Sequence, residues 1–521
     1  MTAGAAVKMS RLRLVTAEAC VDDAGLADVL RPRDGLVLER DAGPGAFTAA
    51  AGPLADYRRA VDVEAAGDGL HRIRQTVEYR LDLPFWGWLF RLPLRHQLRR
   101  LDDRPGVPWW APPDRLDPAS AGALAALCAL SVVVGYLGTV LTQTITFAAD
   151  EFGAGKGAQG VALAAVRADV VVALVLVAMA DKRGRRRVLL LSSGVGCALT
   201  ATGALAPSLW FLAGSQVATR GFVTAAAIVL TVAVAEEMPK GSRAYAVSLL
   251  AMAGAVGAGL CVLLLRVADA AGGWRVLFAL SLVGLPVVGA VGRRLPESRR
   301  FVAPHGQAGL AGHGRRFWLL AVSAFLFNLF FAPASQFGNE YLRTERGFSA
   351  GRISLFTILT ATPGAIGVVV GGRMAERGRR KVGAVALTVG VGATVVMFVS
   401  SGWPLWAWSV AASVVGGATI PALGVYGPEL FPTATRGLAN GTIAVLGRAG
   451  SVVGLIVAGQ LADSFDRLGP AMALLALGPL ALAILVMTSY PETAHTELED
   501  LNPEDAPMPL TDGAPPPYPR R

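Results

Sequence analysis

The run Ala180-Asp181-Lys182-Arg183-Gly184-Arg185-Arg186 decides the fold, because part of it returns later in the chain. Gly184-Arg185-Arg186 recurs as Gly378-Arg379-Arg380, 194 residues further on. Three ordered matches at nearly one offset indicate an internal repeat. The other two matches, offset by 193 and 195 residues, are Glu236, Pro239 and Arg243 with Glu429, Pro432 and Arg436, and Pro296-Glu297-Ser298 with Pro491-Glu492-Thr493.

Around these motifs the chain is strongly apolar. Hydrophobic residues make up 53% and charged residues 17% of its 521 residues, whereas soluble domains carry about 25% charge. The apolar residues form long runs, each close to the ~20 residues that cross a bilayer as a helix. Twelve such spans are found, at roughly 123–147, 158–179, 188–206, 209–234, 244–266, 274–292, 317–336, 353–372, 383–401, 405–426, 438–461 and 470–489.

The repeat divides these spans into two sets of six with the same orientation, as in transporters built from parallel repeats. The predicted fold is an all-α membrane protein, with twelve transmembrane helices in two pseudo-symmetric six-helix bundles and a small N-terminal cytosolic α+β region. The expected parts are the N-terminal region 1–120, the first bundle 121–300 (the N-half), a cytosolic linker 301–316, the second bundle 317–490 (the C-half) and a disordered cytosolic tail 491–521.

Basic residues are concentrated in alternate loops, which predicts that these loops and both termini are cytosolic. The net charge of +10 is thereby explained, and no nucleic-acid partner is expected. The N-terminus lacks the apolar stretch of a signal peptide. Only five of the 48 basic residues are Lys, which with abundant Ala and Gly is typical of a GC-rich bacterial genome. A multi-pass protein of a bacterial cytoplasmic (inner) membrane is expected, and it is expected to be a monomer.

Residues 1–120 are charged, and alternating apolar residues at 36–40 and 73–80 predict short strands there. The stretch 84–100, rich in Trp and Arg, has two interpretations. It is either a basic helix lying in the membrane interface or a helix packed on its own small sheet. The tail from Glu492 is acidic and then Pro-rich, which predicts disorder.

Neither a metal site nor an enzyme is indicated by the reactive residues. The chain has four Cys without paired spacing, three of them inside apolar runs, so neither a disulfide framework nor a zinc site is expected. It has only five His, and residues 1–120 contain no spacing typical of a nucleophile with its base. We therefore expect no catalytic residues, no metal and no cofactor.

The run 180–186 resembles the signature loop between the second and third helices of the major facilitator superfamily. The runs 426–433, 436–437, 296–300 and 491–493 are similar to motifs of its sugar-porter and metabolite:proton-symporter branches. The resemblance covers about residues 122–500. It implies a secondary active transporter that moves a small organic solute across the lipid bilayer by alternating access.

The resemblance also implies a gating network of charged groups, which in the superfamily ties the two halves together on the cytosolic face. Ion pairs that share members can be formed in one state and broken in the other, as a transport cycle requires. The alternative is that the Arg residues only set the topology. The implied gating residues are Asp181, Arg185, Glu236, Arg243, Glu297, Glu376, Arg379, Glu429, Arg436 and Glu492.

This chain departs from the family patterns in three places. The second loop copy is one residue shorter between its acid, Glu376, and its glycine, which predicts that Glu376 does not repeat the pairing of Asp181. The Gln-Gln pair of sugar porters is absent from 325–331, and the mid-helix Asp of aromatic-acid symporters is absent from the first span. Neither substrate class therefore carries over to this chain.

Ionisable residues inside a span are costly and indicate function. For three of them, the distance from the cytosolic end of the helix follows from the number of residues to a gating residue in the same helix. Asp169 precedes Asp181, Arg220 precedes Glu236, and Arg448 follows Arg436. At ~1.5 Å per residue, the three separations correspond to depths of ~18, ~24 and ~18 Å.

We predict that Asp169 pairs with Arg220 and carries a coupling proton, because a carboxylate separated from its partner in low dielectric takes up a proton. Arg167 is a competing partner for Asp169, and the alternative is an ion pair that only packs two helices. Arg220 and Arg448 together favour an anionic solute.

A polar stripe marks the first span and predicts one face of a substrate cavity. The alternative is that these side chains only make hydrogen bonds between helices. The predicted cavity residues are Tyr136, Thr139, Gln143 and Thr146 on this stripe, with Asn328, Thr357, Thr360 and Arg448 from the C-half.

The leading function is a proton-coupled transporter of a small organic solute. One alternative is a drug or metabolite efflux carrier of the same fold, because no motif encodes the direction of flux. The other is a membrane sensor that uses residues 1–120.

Overall fold

The computed structural model describes residues 12–67, 69–101, 106–154, 166, 169–298, 310–348, 350–465 and 467–505. Arg167, most of the predicted linker and the Pro-rich end of the tail lie outside these residues. The chain forms two compact units, Met1–Ala129 and Leu130–Arg521.

The first unit is built on an antiparallel sheet of five strands in the order β1-β5-β4-β3-β2. The two predicted strands lie at β2 and β5, and buried and exposed residues alternate along most of β5. The elements are β1 Arg13–Val21, α1 Asp23–Val29, β2 Leu38–Gly43, β3 Ala46–Ala51, β4 Asp56–Gly67, β5 Leu70–Arg80 and α2 Arg91–Arg99.

One face of this sheet carries α2, whose Leu94 and Leu98 are buried in a cluster with Val77 and Tyr79 of β5. Of the two interpretations of 84–100, the structure therefore shows a helix packed on its own sheet. The helix is shorter than that stretch, since residues 84–90 form turns. Its other face leaves Leu92 exposed.

The described residues of the membrane bundle form helices joined by loops. Eleven of its helices are long and apolar enough to cross a membrane. Of the second predicted span, 158–179, the structure describes only residue 166 and residues 169–179. The twelfth crossing therefore stays a prediction. In chain order the helices are α3 Pro118–Glu151, α4 Val170–Arg183, α5 Arg185–Leu205, α6 Leu209–Glu237, α7 Arg243–Leu264, α8 Trp274–Gly292, α9 Gly314–Glu340, α10 Leu355–Ala375, α11 Arg379–Met397, α12 Gly402–Glu429, α13 Arg436–Phe465 and α14 Leu468–Ser489.

Among the described residues, the N-half and the C-half contact each other mainly through two pairs of helices. The helix α4 packs against α13, and α7 packs against α10, which are corresponding pairs under the internal repeat. The loops that carry the repeated motifs all lie at one end of these pairs. We call it the basic end and define it by residues 181–187, 236–243, 293–298 and their repeats.

The tail does not begin where the sequence predicts. Residues 491–505, expected to be disordered, form a packed segment with a short helix α15, Leu498–Leu501. Leu498 is fully buried, and the Asn502 side chain donates to the carbonyl oxygen of Glu429 at 2.8 Å. The segment is ordered because it supplies apolar and hydrogen-bonding groups to the basic end, a contact that an acidic composition does not reveal.

Candidate functional site

The first motif copy forms a buried ion cluster at the junction of α4 and α5. Gly184 ends α4 with φ at +104°, a backbone conformation that favours glycine. This turn brings Arg185 to 3.2 Å from Asp181 and to 3.3 Å from Glu236 at the end of α6. All three side chains are almost fully buried, so the two carboxylates share one guanidinium out of contact with water.

The second copy forms the same cluster between α10 and α11. Arg379 lies 3.1 Å from Glu376 and also donates to Glu429 and, at 2.9 Å, to the Thr493 hydroxyl. Burial raises the pKa of the Glu376 carboxyl, against the lowering effect of the Arg379 guanidinium. The repeat of the sequence is therefore a repeat of side-chain geometry.

At the basic end, two ion pairs between described residues cross from one half to the other. Arg436 of the C-half donates to Glu236 at 2.6 Å, and Arg243 of the N-half lies 3.4 Å from Glu429. Each arginine is the first residue of its helix, so its position follows from where α13 and α7 begin. These four predicted gating residues therefore lie together in the structure, and their role as a gate stays a prediction.

The acids of the two loops also cross between the halves. Asp181 accepts hydrogen bonds from the backbone N–H groups of Gly437 and Leu438, at 3.0 and 2.8 Å, at the start of α13. A carboxylate is favoured there because the first N–H groups of a helix lack partners within it.

Glu376 makes the matching contact, accepting from Ala244 and Tyr245 at the start of α7. The expectation that Glu376 pairs differently from Asp181 is therefore corrected. The loop is one residue shorter, but the Glu side chain is one methylene longer, so its carboxylate reaches the opposite helix.

Glu297 and Glu492 act within their own halves. Glu297 accepts from the backbone N–H of Arg186 at 3.0 Å, and Glu492 accepts from that of Arg379 at 3.1 Å. Both hold a motif loop to the end of the last helix of the same half. In this structure neither forms a described contact with the opposite half. Within the predicted network, each therefore stabilises a loop of its own half.

The ordered tail adds a carboxylate that the sequence analysis missed. Asp505 accepts from the backbone N–H of Thr433 at 2.8 Å and from Arg436 at 3.1 Å. Glu497 lies 3.6 Å from Arg243. The tail thus contacts the arginine of each cross-half ion pair.

Inside the membrane, the structure pairs Asp169 with Arg448. Two bonds, of 2.5 and 3.0 Å, join the guanidinium to the carboxylate, and the Thr224 hydroxyl of α6 donates to the same carboxylate at 2.9 Å. The Asp169 side chain is 5% exposed and that of Arg448 is 31% exposed. The pair joins the N-half to the C-half.

The predicted pairing of Asp169 with Arg220 is corrected by this contact. Arg220 instead donates to the backbone oxygen of Gly138 in α3 at 2.6 Å. Asp169 and Arg448 share a depth of ~18 Å from the gating residues of their own helices, whereas Arg220 lies at ~24 Å, counted at ~1.5 Å per residue. Equal depth was the signal in the sequence that could have found the partner.

A close approach of two helices positions Asp169. A Cβ added to Gly221 of α6 would lie 2.4 Å from the Cβ of Val172 and 2.9 Å from the Asp169 carbonyl oxygen. Only glycine lets α6 and α4 come this close, and this contact places Thr224, one turn further along α6, beside the carboxylate.

Five of the other predicted cavity residues make hydrogen bonds within the bundle. Tyr136 donates to the Leu277 carbonyl oxygen of α8 at 2.7 Å, and Asn328 accepts from Ser451 of α13 at 3.3 Å. The hydroxyls of Thr139, Thr357 and Thr360 donate to carbonyl oxygens of their own helices. Gln143 is half-buried, and the Thr146 side chain lies outside the described part of the chain. Of this set, Arg448 has the clearest ligand-binding chemistry.

No group of three metal-ligating side chains occurs among the residues that the structure describes. The site consists of ion pairs, with cross-half contacts at the basic end and one more in the membrane interior.

Comparison with known proteins gives a consistent result. The family model of the Major Facilitator Superfamily matches residues 124–351 and 318–514. Similar solved structures include the proton:xylose symporter XylE bound to 6-bromo-6-deoxy-D-glucose, at 16% identity and a TM-score of 0.61 over 73% of this chain and 97% of that chain.

Two other similar structures are the human organic anion transporter MFSD10 (TETRAN) and the E. coli fucose:proton symporter FucP. MFSD10 has 16% identity and a TM-score of 0.57 over 70% of this chain and 98% of that chain. FucP has 15% identity and a TM-score of 0.58 over 72% of this chain and 100% of that chain. At these identities the structural likeness shows the fold alone, and no curated protein matches the sequence.

Proposed function

The chain belongs to the major facilitator superfamily of membrane transporters, and from this premise we propose that it is a proton-coupled carrier of a small organic anion. The observation that carries the proposal is the ion pair between Asp169 and Arg448, which joins the two halves inside the membrane. We propose that the halves rock about this point by alternating access.

In this proposal, the ion pair between Asp169 and Arg448 couples the movement of the proton to that of the solute. Separating Asp169 from Arg448 in a medium of low dielectric leaves two charges without partners, which is costly. A proton on Asp169 removes one of these charges, and an anionic solute bound to Arg448 compensates the other. Proton and solute therefore both favour the separated state, which is the requirement for coupled movement.

The exposure of the two side chains supports an anionic solute. Arg448 is 31% exposed while Asp169 is 5% exposed, so the guanidinium is the partner that a solute could reach. A guanidinium binds carboxylates and phosphates through two parallel hydrogen bonds. The structural neighbours include carriers of sugars and of organic anions, and Arg448 favours the second class.

The basic end serves as the gate in this proposal. In this structure its cross-half contacts are formed, so the halves are held together there. We propose that this end is cytosolic, because the basic loops gather on it, and that the contacts break when the carrier opens inward. Both termini are then cytosolic, in the cytoplasmic membrane of a bacterium.

The test is uptake into proteoliposomes with an internal pH of 7.5 and an external pH of either 7.5 or about 6. A panel of radiolabelled organic acids and neutral sugars identifies the transported class. We expect wild-type uptake of an organic acid to rise several-fold with the proton gradient. In Asp169→Asn, uptake should be equal with and without the gradient, because this side chain cannot take up the proton.

The matched control is Glu376→Gln, which neutralises a buried carboxyl at the basic end. It should alter the rate of uptake but keep the stimulation by the gradient. If Asp169→Asn remained stimulated to the wild-type extent, the coupling role of this residue would be disproved. Uptake of neutral sugars only would overturn the assignment of an anionic solute.

A further inference from the structure

A basic cavity lies at the basic end of the N-half, apart from the gate. Its volume is about 750 Å³. The ends of α4 and α8 and the start of α5 surround it. Its lining residues are Lys182, Arg183, Arg186, Arg187, Gly292, Arg293, Arg294, Leu295, Pro296 and Glu297.

The loop after α4 and the end of α8 form the frame of this cavity, and hydrogen bonds hold these two segments together. Arg186 donates from its guanidinium to the carbonyl oxygens of Leu295 at 2.7 Å and Gly292 at 2.6 Å. Glu297 accepts from the backbone N–H of Arg186 at 3.0 Å. The loop after α4 and the end of α8 are thus held together, so the remaining cations are presented from a defined surface.

Four of these cations have no role in the frame. The side chains of Lys182, Arg187, Arg293 and Arg294 are exposed and make no hydrogen bond or ion pair with any residue in the described part of the chain. Like charges gathered around one cavity repel each other. They favour an anion that can bind several of them at once.

The C-half carries the same frame without this charge. There Arg380 donates to the Met487 carbonyl oxygen, and Glu492 accepts from the backbone of Arg379 and Arg380. At the repeat positions of Arg293 and Arg294, however, the C-half has Thr488 and Ser489. The frame therefore does not require the arginines.

Topology alone does not account for the arginines either. The C-half loop keeps its own basic residues, Arg377, Arg380 and Lys381, for orientation in the membrane. The N-half has additional cations, and they line one cavity at the ends of membrane helices. Basic pockets between membrane helices bind anionic headgroups.

We propose that this cavity binds a phosphate-bearing anion, either the headgroup of an anionic phospholipid or a soluble phosphate compound. Phosphate presents several strong acceptor oxygens, which suit the donor geometry of Arg293 and Arg294 and the point charge of Lys182. The cavity lies beside the loop that carries Asp181 and Arg185, so the bound anion would stabilise that loop.

The test uses the full chain purified in a neutral detergent. Thermal unfolding is followed on addition of dioleoyl phosphatidylglycerol, dioleoyl phosphatidylcholine, or sodium phosphate against sodium chloride of equal ionic strength. Native mass spectrometry counts the bound lipid. We expect phosphatidylglycerol or phosphate, but not phosphatidylcholine or chloride, to raise the unfolding temperature.

The pocket variant is R293T/R294S, which installs the C-half side chains, and the control is R377T/K381S, which removes the same charge from the C-half. The pocket variant should lose up to about thirtyfold in apparent affinity, since each of two arginines contributes about 1 kcal/mol, and the control should keep it. Arg187→Gln gives a second pocket variant, on a different helix, that does not alter the end of α8.

Each probe has a defined meaning. A response to phosphatidylglycerol alone identifies a lipid site, and a response to inorganic phosphate identifies a soluble ligand. If the wild type and both pocket variants responded equally to every probe, or if phosphatidylcholine acted as well as phosphatidylglycerol, the proposal would be overturned.

Discussion

At the basic end the two halves of the bundle make matching contacts. Asp181 accepts from the first N–H groups of α13, and Glu376 accepts from the first N–H groups of α7. In the membrane interior the likeness ends. Asp169 and Arg448 join α4 to α13, whereas the repeat places Pro363-Gly364 and Ala255 at the corresponding points of α10 and α7.

Contacts that occur in both halves and contacts that occur once suit different functions. A contact present in both halves serves a motion that both halves share, such as opening and closing one end. A charged contact present once serves a task that is done once, such as loading a proton or holding a solute. This division agrees with our proposal that the repeated residues form the gate and that the residues that break the repeat carry the coupling.

The largest expected effect concerns the ion pair that occurs once. Arg448→Gln leaves the Asp169 carboxylate in the membrane interior without its ion-pair partner. We expect it to cost about 3 kcal/mol of stability, seen as a lower thermal unfolding midpoint of the purified protein. Asp169→Asn should cost less, because Arg448 is partly exposed and can be solvated.

The double variant D169N/R448Q provides the control for this prediction. Both charges are absent, so most of the lost stability should return, although uptake should no longer respond to a proton gradient. A double variant as unstable as Arg448→Gln alone would show that the cost arises from packing and not from an unpaired carboxylate.

The ion-pair cluster at the basic end was predictable from the sequence because its residues are repeated. Two copies of Gly-Arg-Arg and of the Glu and Arg pair at one offset place equivalent charges at equivalent helix ends. The partner of Asp169 was assigned wrongly, although its depth of ~18 Å matched that of Arg448 and not the ~24 Å of Arg220. Counting residues along each helix gives depth, but it does not show which helices are neighbours.

Other contacts could not be found from the sequence pattern. Thr224 is one of many hydroxyls in apolar spans, and only the close approach of α6 at Gly221 places it beside Asp169. The order of residues 491–505 depends on backbone groups, such as the Thr433 N–H that Asp505 binds. A backbone donor has no sequence signature, so an acidic segment that binds one cannot be distinguished from a solvated tail.

A smaller effect is expected where the two motif copies differ in backbone conformation. Gly184 has φ at +104°, and an added Cβ would lie 2.3 Å from a carboxylate oxygen of Glu297. Gly378 is extended, with φ at 168° and open space around it. Gly184→Ala should therefore cost about 2 kcal/mol, while Gly378→Ala should stay within about 0.5 kcal/mol of the wild type.

Thermal unfolding of the two alanine variants, each in the same detergent, measures this difference. The two substitutions add the same atoms to the same tripeptide motif, so each serves as the control for the other. Equal losses would mean that the two loops share one conformation, and the asymmetry between the halves at this position would be disproved.

The smallest expected effect tests whether the matching contacts act together. Asp181→Asn and Glu376→Gln each weaken one carboxylate bound to a helix N-terminus in the opposite half, at a cost of about 1 kcal/mol. Hydrogen–deuterium exchange can follow the two sets of amides separately, in peptides that contain Gly437 and Leu438 or Ala244 and Tyr245. A loss of this size corresponds to about fivefold faster exchange where reclosing is fast and the opening equilibrium sets the exchange rate.

If the halves rock as rigid bodies, one opening exposes both helix N-termini, so either substitution should accelerate exchange at both peptides. If each contact frays alone, Asp181→Asn should affect only the peptide at the start of α13, and Glu376→Gln only that at the start of α7. The first result is expected, because the two contacts join the same two halves at the same end. The second would leave the repeated contacts as separate helix caps and would remove them from the gate.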